Sequence, residues 1–304
     1  WGWVDEERQG VKDRLDKWAN QMNDWFGEPD PRKPASATLR VIMDTRWEDD
    51  PVEGNHVTVE PRIRGRLKLP VLEQRLSLII GDEKLDNESV LTQDATGKAY
   101  QAQAIEQDKI VDAQKVRDNN ASIALRWSRF SDTVERELGI QTDVDLGVRS
   151  GNDVFVKVSV DKDWLKEDKL TVSSDNFYRY GSDSEHYAQS ALNLQYDLTR
   201  HRAINNRTTL RYRHEDEDER TNWSNDLRQI HDFGGERQLS YGVSLSGDFA
   251  SDKHLLNSYG PTISYRQPIW REWLYVQSEL NYYNDKDDDK GHYPSALLRF
   301  EALF

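Results

Sequence analysis

From Ala35 to the carboxy terminus, apolar side chains recur at every second residue. A period of two belongs to β-strands, whose successive side chains point to opposite faces. Val57, Val59, Pro61, Ile63, Gly65, Leu67 and Leu69 share one face, while Thr58, Glu60, Arg62, Arg64, Arg66 and Lys68 share the other. The same division separates Val154, Val156, Val158 and Val160 from Phe155, Lys157, Ser159 and Asp161. It recurs with Leu239, Tyr241, Val243, Leu245, Gly247 and Phe249 against Ser240, Gly242, Ser244, Ser246 and Asp248. Segments of roughly ten residues with this dyad pattern match a tilted strand that crosses a bilayer, with lipid on one side only. That half-polar pattern reconciles membrane residence with a mean hydropathy of −0.90. No apolar run is long enough for a transmembrane helix.

Backbone groups in lipid must all be paired, so spanning strands have to close on themselves. The expected fold is therefore all-β: a transmembrane antiparallel up-and-down β-barrel with an N-terminal amphipathic helix. The pattern gives fourteen strands, near 36–48, 55–69, 73–82, 121–131, 137–150, 153–162, 169–180, 187–199, 206–215, 222–232, 238–250, 258–268, 272–284 and 293–304. Segment 222–232 alternates least, and without its hairpin the count is twelve. An even number puts both termini on one side. Tight turns at Phe233–Glu236 and Gln267–Arg271 are expected on that side, and longer charged loops at His214–Arg220 and Asn284–Gly291 on the other. The stretch 84–120 is long for a connection and could fold inward as a constriction or stand out as a lid.

The first 35 residues form a separate region. Val11, Leu15, Trp18, Met22 and Trp25 recur at helical spacing, and Gly27-Glu28-Pro29-Asp30-Pro31 ends the helix. Residues 1–35 are expected on the periplasmic side, with the barrel at 36–304. The helix could plug the lumen, dock a periplasmic partner or lie in the membrane interface. Trp1, Trp3, Trp18 and Trp25 favour the interface.

The final segment, Tyr293 to Phe304, resembles the carboxy-terminal signature of Gram-negative outer-membrane β-barrel proteins. Ala296, Leu298, Phe300, Ala302 and Phe304 form an alternate apolar row ending on an aromatic residue. The resemblance implies residence in the outer membrane, contact with its lipid and lipopolysaccharide, and recognition of Phe300 and Phe304 by the barrel-assembly machinery. A barrel of this kind needs an export signal, so a chain opening at Trp1 is expected to be a processed or trimmed product. Aromatic girdles are expected from Tyr265, Trp270, Trp273, Phe300 and Phe304 at the periplasmic rim, and from Tyr212, Tyr282 and Tyr283 at the outer rim.

Alternation points Arg40, Asp44, Arg46, Arg62, Arg64, Arg66 and Lys68 inward, with Arg211, Arg213, Arg266 and Arg299 on later strands. Arg40, Arg46, Arg62, Arg64, Arg66, Lys68, Arg211, Arg213 and Arg299 are the expected pore lining, and such a row favours anions. Neighbouring carboxylates look too few to neutralise the row on the first two strands, with Glu279 and Glu301 as possible partners on later ones. The leading functional expectation is a passive, porin-like channel for small polar or anionic solutes. A structural, assembly or export barrel binding envelope partners is the alternative, and a rim hydrolase acting on lipid or peptide is a third. For the third, His186 beside Ser184 and His214 beside Asp216 are imaginable pairs, but adjacency in sequence is not catalytic geometry. No enzyme activity and no cofactor are expected. Asp285, Asp287 and Asp289 alternate like a calcium loop, yet Gly291 comes one residue late and no Glu closes the site, so they are weak metal candidates. The net charge of −14 argues against nucleic acid as a partner.

Overall fold

A computed structural model describes residues 2–26, 34–70, 76–82, 121–128, 132–215, 218–250, 253–271 and 273–304. The 84–120 stretch and Asp216 lie outside these residues. Helix α1 (Gly2–Phe26) precedes strands β1 (Ser36–Asp50), β2 (Gly54–Lys68), β3 (Leu76–Gly81) and β4 (Ile123–Ser128). A short helix α2 (Asp132–Leu138) leads to β5 (Ile140–Arg149), β6 (Asp153–Lys166), β7 (Leu170–Gly181) and β8 (Glu185–Thr199). The chain then forms β9 (Arg202–Glu215), β10 (Asp218–Asp232), β11 (Gln238–Asp248), β12 (Ser258–Trp270), β13 (Leu274–Asp285) and β14 (Lys290–Leu303).

Every strand pairs with its sequence neighbours, and β1 pairs with β14, closing a fourteen-stranded antiparallel barrel. The segment with the weakest alternation is a full strand, β10, in register with β9 and β11 along its length. At the seam Met43 faces Phe300, and Leu39 and Phe304 exchange both backbone hydrogen bonds. The carboxy-terminal residue is therefore part of the closure. Both termini lie at one end, called here the terminal end.

Much of both expected outer loops is strand, and the second closes in a tight turn. β9 runs to Glu215 and β10 resumes at Asp218, while β13 runs to Asp285 and β14 resumes at Lys290. Cross-strand contacts extend the ladder there: Tyr212 donates to Glu219 at 2.8 Å, and left-handed Asp289 (φ 55°) completes the β13–β14 turn. Charge density marks where these hairpins leave the bilayer rather than where their strands end.

The two faces of the wall differ as the alternation requires. Leu146, Val148, Val154, Val156, Leu192, Val243 and Leu298 are exposed on the outside. Arg126, Asp145, Lys157, Arg207, Asp226, Arg228, Glu279 and Arg299 are buried on the inside. The row ending at Phe304 faces outward, with Leu298 and Phe300 exposed. Tyr282 is exposed in the outer girdle, but Tyr283 is not: it turns inward, donates to Glu48 at 2.8 Å and packs edge-on against Tyr293. Adjacent strand residues cannot share a face.

Helix α1 lies against the outside of the barrel at the terminal end. Its Leu15, Ala19 and Met22 pack with Ala35, Ala37, Leu67, Leu69, Leu78 and Ile80, all of the outward set. Lys12 donates to the Ala37 carbonyl at 2.7 Å, and Asp16 and Asn20 accept from the Ala37 and Ala35 amides. Further round the rim, Arg8 donates to the Leu303 carbonyl and lies over the Trp273 ring, while Asp5 pairs with Arg271 at 2.8 Å.

Candidate functional site: the charged lumen

The interior is built from the polar half of each strand. On β1 and β2 the register sets Arg40 opposite Arg64, Ile42 opposite Arg62, and Asp44 opposite Glu60, all inward. Thus Arg40, Arg46, Arg62, Arg64, Arg66 and Lys68 share the inward face, as do Arg211 and Arg213 of β9 and Arg299 of β14.

The charge balance of this row differs from the expectation. Arg62 donates to Asp82 at 2.6 Å, with Asp44 at 3.7 Å. Asp44 also accepts both ends of the Arg299 guanidinium at 2.6 Å. Arg40 meets Glu301 at 2.5 Å, and Glu301 receives Arg266 at 2.9 Å. Glu301 was legible as a partner because it alternates inward on the last strand. Asp82 was not, since it follows β3 and only the β2–β3 register brings it to Arg62. A buried carboxylate–guanidinium pair avoids an uncompensated charge but adds little net stability, because both groups lose water.

Arg64 reaches the Gly81 carbonyl, and Arg66 donates to the hydroxyls of Ser77 and Ser128, each at 3.3 Å. Hydroxyls orient a guanidinium without cancelling its charge. Lys68 is exposed at the terminal mouth.

Further round the wall the paired pattern repeats. Arg126 grips Asp145 through two bonds of 2.7 Å, and Arg207 grips Asp175 at 2.8 and 2.9 Å. Arg211 binds Gln189 and Ser224. Arg179 and Arg213 lie over the inward ring of Tyr187, itself edge-on to Phe177, and Lys157 caps Phe177. Strands β11–β13 instead present Ser240, Ser244, Thr262, Ser264 and Asn281. At the terminal end a cavity of about 510 Å³ opens among Asp168, Asp197, Arg200, Arg202, Asp232 and Gln238.

Of the two candidate hydrolase pairs, His186 with Ser184 does not form, and Asp216 of the other lies outside the described residues. His186 faces outward and bonds the Tyr178 hydroxyl at 2.6 Å, while Ser184 is buried. His214 pairs with Glu185 at 2.9 Å. The calcium-like loop is likewise occupied by internal bonds: Asp285 accepts from Asn257 and Asp287 from His254. Among the described residues no cluster of three or more His, Asp or Glu is arranged to hold a metal ion.

At the outer rim, beyond the apolar band, Asp50 closes the β1–β2 turn by accepting from the Val52 and Glu53 amides and from Lys290 at 2.8 Å. Burial alone would raise this carboxyl, but the Lys290 and turn hydrogen bonds outweigh it and hold the carboxyl at about 2.

No family model and no curated protein matches the chain in sequence. Solved structures do resemble it. OmpT, an outer-membrane protein of Vibrio cholerae, aligns over 91% of this chain and 99% of its own at 7% identity, with a TM-score of 0.51. An anion-selective porin from Comamonas acidovorans aligns over 89% and 100% at 12% identity, with a TM-score of 0.46. The NanC porin aligns over 60% and 92% at 11% identity, with a TM-score of 0.38. At such identity the likeness to OmpT speaks to fold alone. The chain is a closed fourteen-stranded antiparallel β-barrel with an apolar outer wall.

Proposed function

We propose that this barrel is a passive channel for small polar solutes, with a preference for anions set on β1 and β2. The observation that carries the reading is Arg66, held on the inward face by two serine hydroxyls and thus oriented without being neutralised. Arg46 and Lys68 share its face. A fixed cation beside a polar path attracts anions and repels cations in transit. Arg40, Arg62 and Arg299 serve differently here, as members of ion pairs that hold the wall together.

The test is planar-bilayer conductance of the folded chain. Wild type should show a reversal potential on the anion side, and Arg46→Glu with Arg66→Glu should move it toward cations while folding is retained. Arg62→Glu is a poorer probe, because it would set a carboxylate against Asp82 and Asp44. Removal of residues 1–35 should leave conductance unchanged, since α1 packs outside the wall.

A second reading, a structural or assembly barrel, is favoured by one observation. Inward-facing Ile42, Ile79, Phe155 and Leu297 are buried to 3% exposure or less. Apolar packing on the inner face is what a filled interior would need. A folded barrel that conducts nothing would select that reading.

A further inference from the structure

We infer that α1 is an interfacial membrane helix, seated on the outer wall of the barrel, whose Val11–Trp18–Trp25 stripe enters the lipid headgroup layer at the terminal end. The helix has three flanks, each with a different environment. One packs on the wall through Leu15, Ala19 and Met22 and binds rim backbone through Lys12, Asp16 and Asn20. Residues seven apart fall on one stripe of a helix, so Val11, Trp18 and Trp25 align, about a quarter-turn from Ala19. Trp18 is 40% exposed and Trp25 is 76% exposed. On the far side, exposed Glu6, Asp13 and Asp24 form a polar flank suited to water.

A water-facing helix gains nothing from two exposed tryptophans. A headgroup layer suits them, because the ring is apolar and its N–H can meet water or carbonyl oxygens. The occupant is fixed by continuity. The wall residues under α1, Leu67, Leu69, Leu78 and Ile80, extend the outward apolar face that includes exposed Ile63 on the same strand. Lipid that coats that face reaches the flank of the helix lying on it. Apolar burial and tryptophan anchoring then act together with the rim bonds at Arg8 and Asp5 to hold α1 beside the seam.

The chain has no cysteine, which allows single-site labelling. Trp18→Cys, Trp25→Cys, Asp13→Cys and Asp24→Cys would each carry an environment-sensitive fluorophore in the full chain, reconstituted in phosphatidylcholine vesicles. Heat-modifiable migration checks each fold, and having two sites per flank keeps the comparison valid if one variant fails. Labels at 18 and 25 should emit to the blue and lose most of their fluorescence to headgroup-proximal spin-labelled lipid, with little loss to aqueous iodide. Labels at 13 and 24 should show the reverse. Equal iodide quenching on both flanks would overturn the proposal. So would protection at 18 and 25 from both quenchers, or energy transfer between labelled copies, since either would place protein on the stripe.

Discussion

At the residue scale the lumen is a set of guanidinium–carboxylate grips, and Asp44 is shared between two arginines. It accepts two bonds from Arg299 and lies within ion-pair distance of Arg62. Asp44→Asn should cost about 2 kcal/mol in denaturant unfolding, the scale for hydrogen bonds to charged groups. The Asp44→Asn/Arg299→Gln double variant should lose less than the two single variants combined, because neither charge is then left alone. At the rim, the Asp50 carboxyl titrates near 2 when folded against an ordinary value of 3.8. A depressed folded value means the contribution is full above the unfolded value and disappears as pH falls from about 4 through 2. Between pH 5 and 8, Asp50→Asn should therefore weaken the protein by a constant amount, and the difference from wild type should shrink below pH 4. A difference that instead varied between pH 6 and 8 would point to a group other than Asp50.

At the element scale, alternation decides which substitutions the bilayer punishes. Val156 is exposed outward on β6, and Ser244 faces inward on β11, where it bonds Asp226. Val156→Arg at mid-membrane should cost about 2–4 kcal/mol, and Ser244→Arg much less. Equal losses in a folding titration would mean the alternation has nothing to do with lipid. Close strand approach imposes its own limit at Gly242, where a Cβ would sit 1.9 Å from the Leu227 carbonyl oxygen. Gly242→Ala should therefore destabilise β11 against β10 by about 1–3 kcal/mol, measured by the same titration. Helix α1 shows how an element can be read correctly in type and only partly in orientation. Its period was plain, but Val11, Leu15, Trp18, Met22 and Trp25 looked like a single apolar face. The structure splits them: Leu15 and Met22 meet the wall, and Trp18 and Trp25 do not.

At the scale of the whole molecule, closure rests on the seam between β1 and β14. Phe304 exchanges backbone bonds with Leu39 and sets its ring beside Trp273. Phe304→Ser, or loss of β14, should sharply lower the heat-modifiable folded fraction in cells, whereas Ser295→Ala on the inward face should not. The sequence by itself determined the class and the two faces of the wall, because a period of two is a local property, while pairing of β10 on both sides decided fourteen strands over twelve. It also marked the last strand and the inward arginines. Tertiary structure alone decided which arginines are neutralised, since Asp82, Asp44 and Glu301 reach their partners only through the register of neighbouring strands and closure of the barrel. It alone seated α1 against the outer wall. Charge compensation and docking depend on distances across strands far apart in the chain, and no local periodicity carries that information.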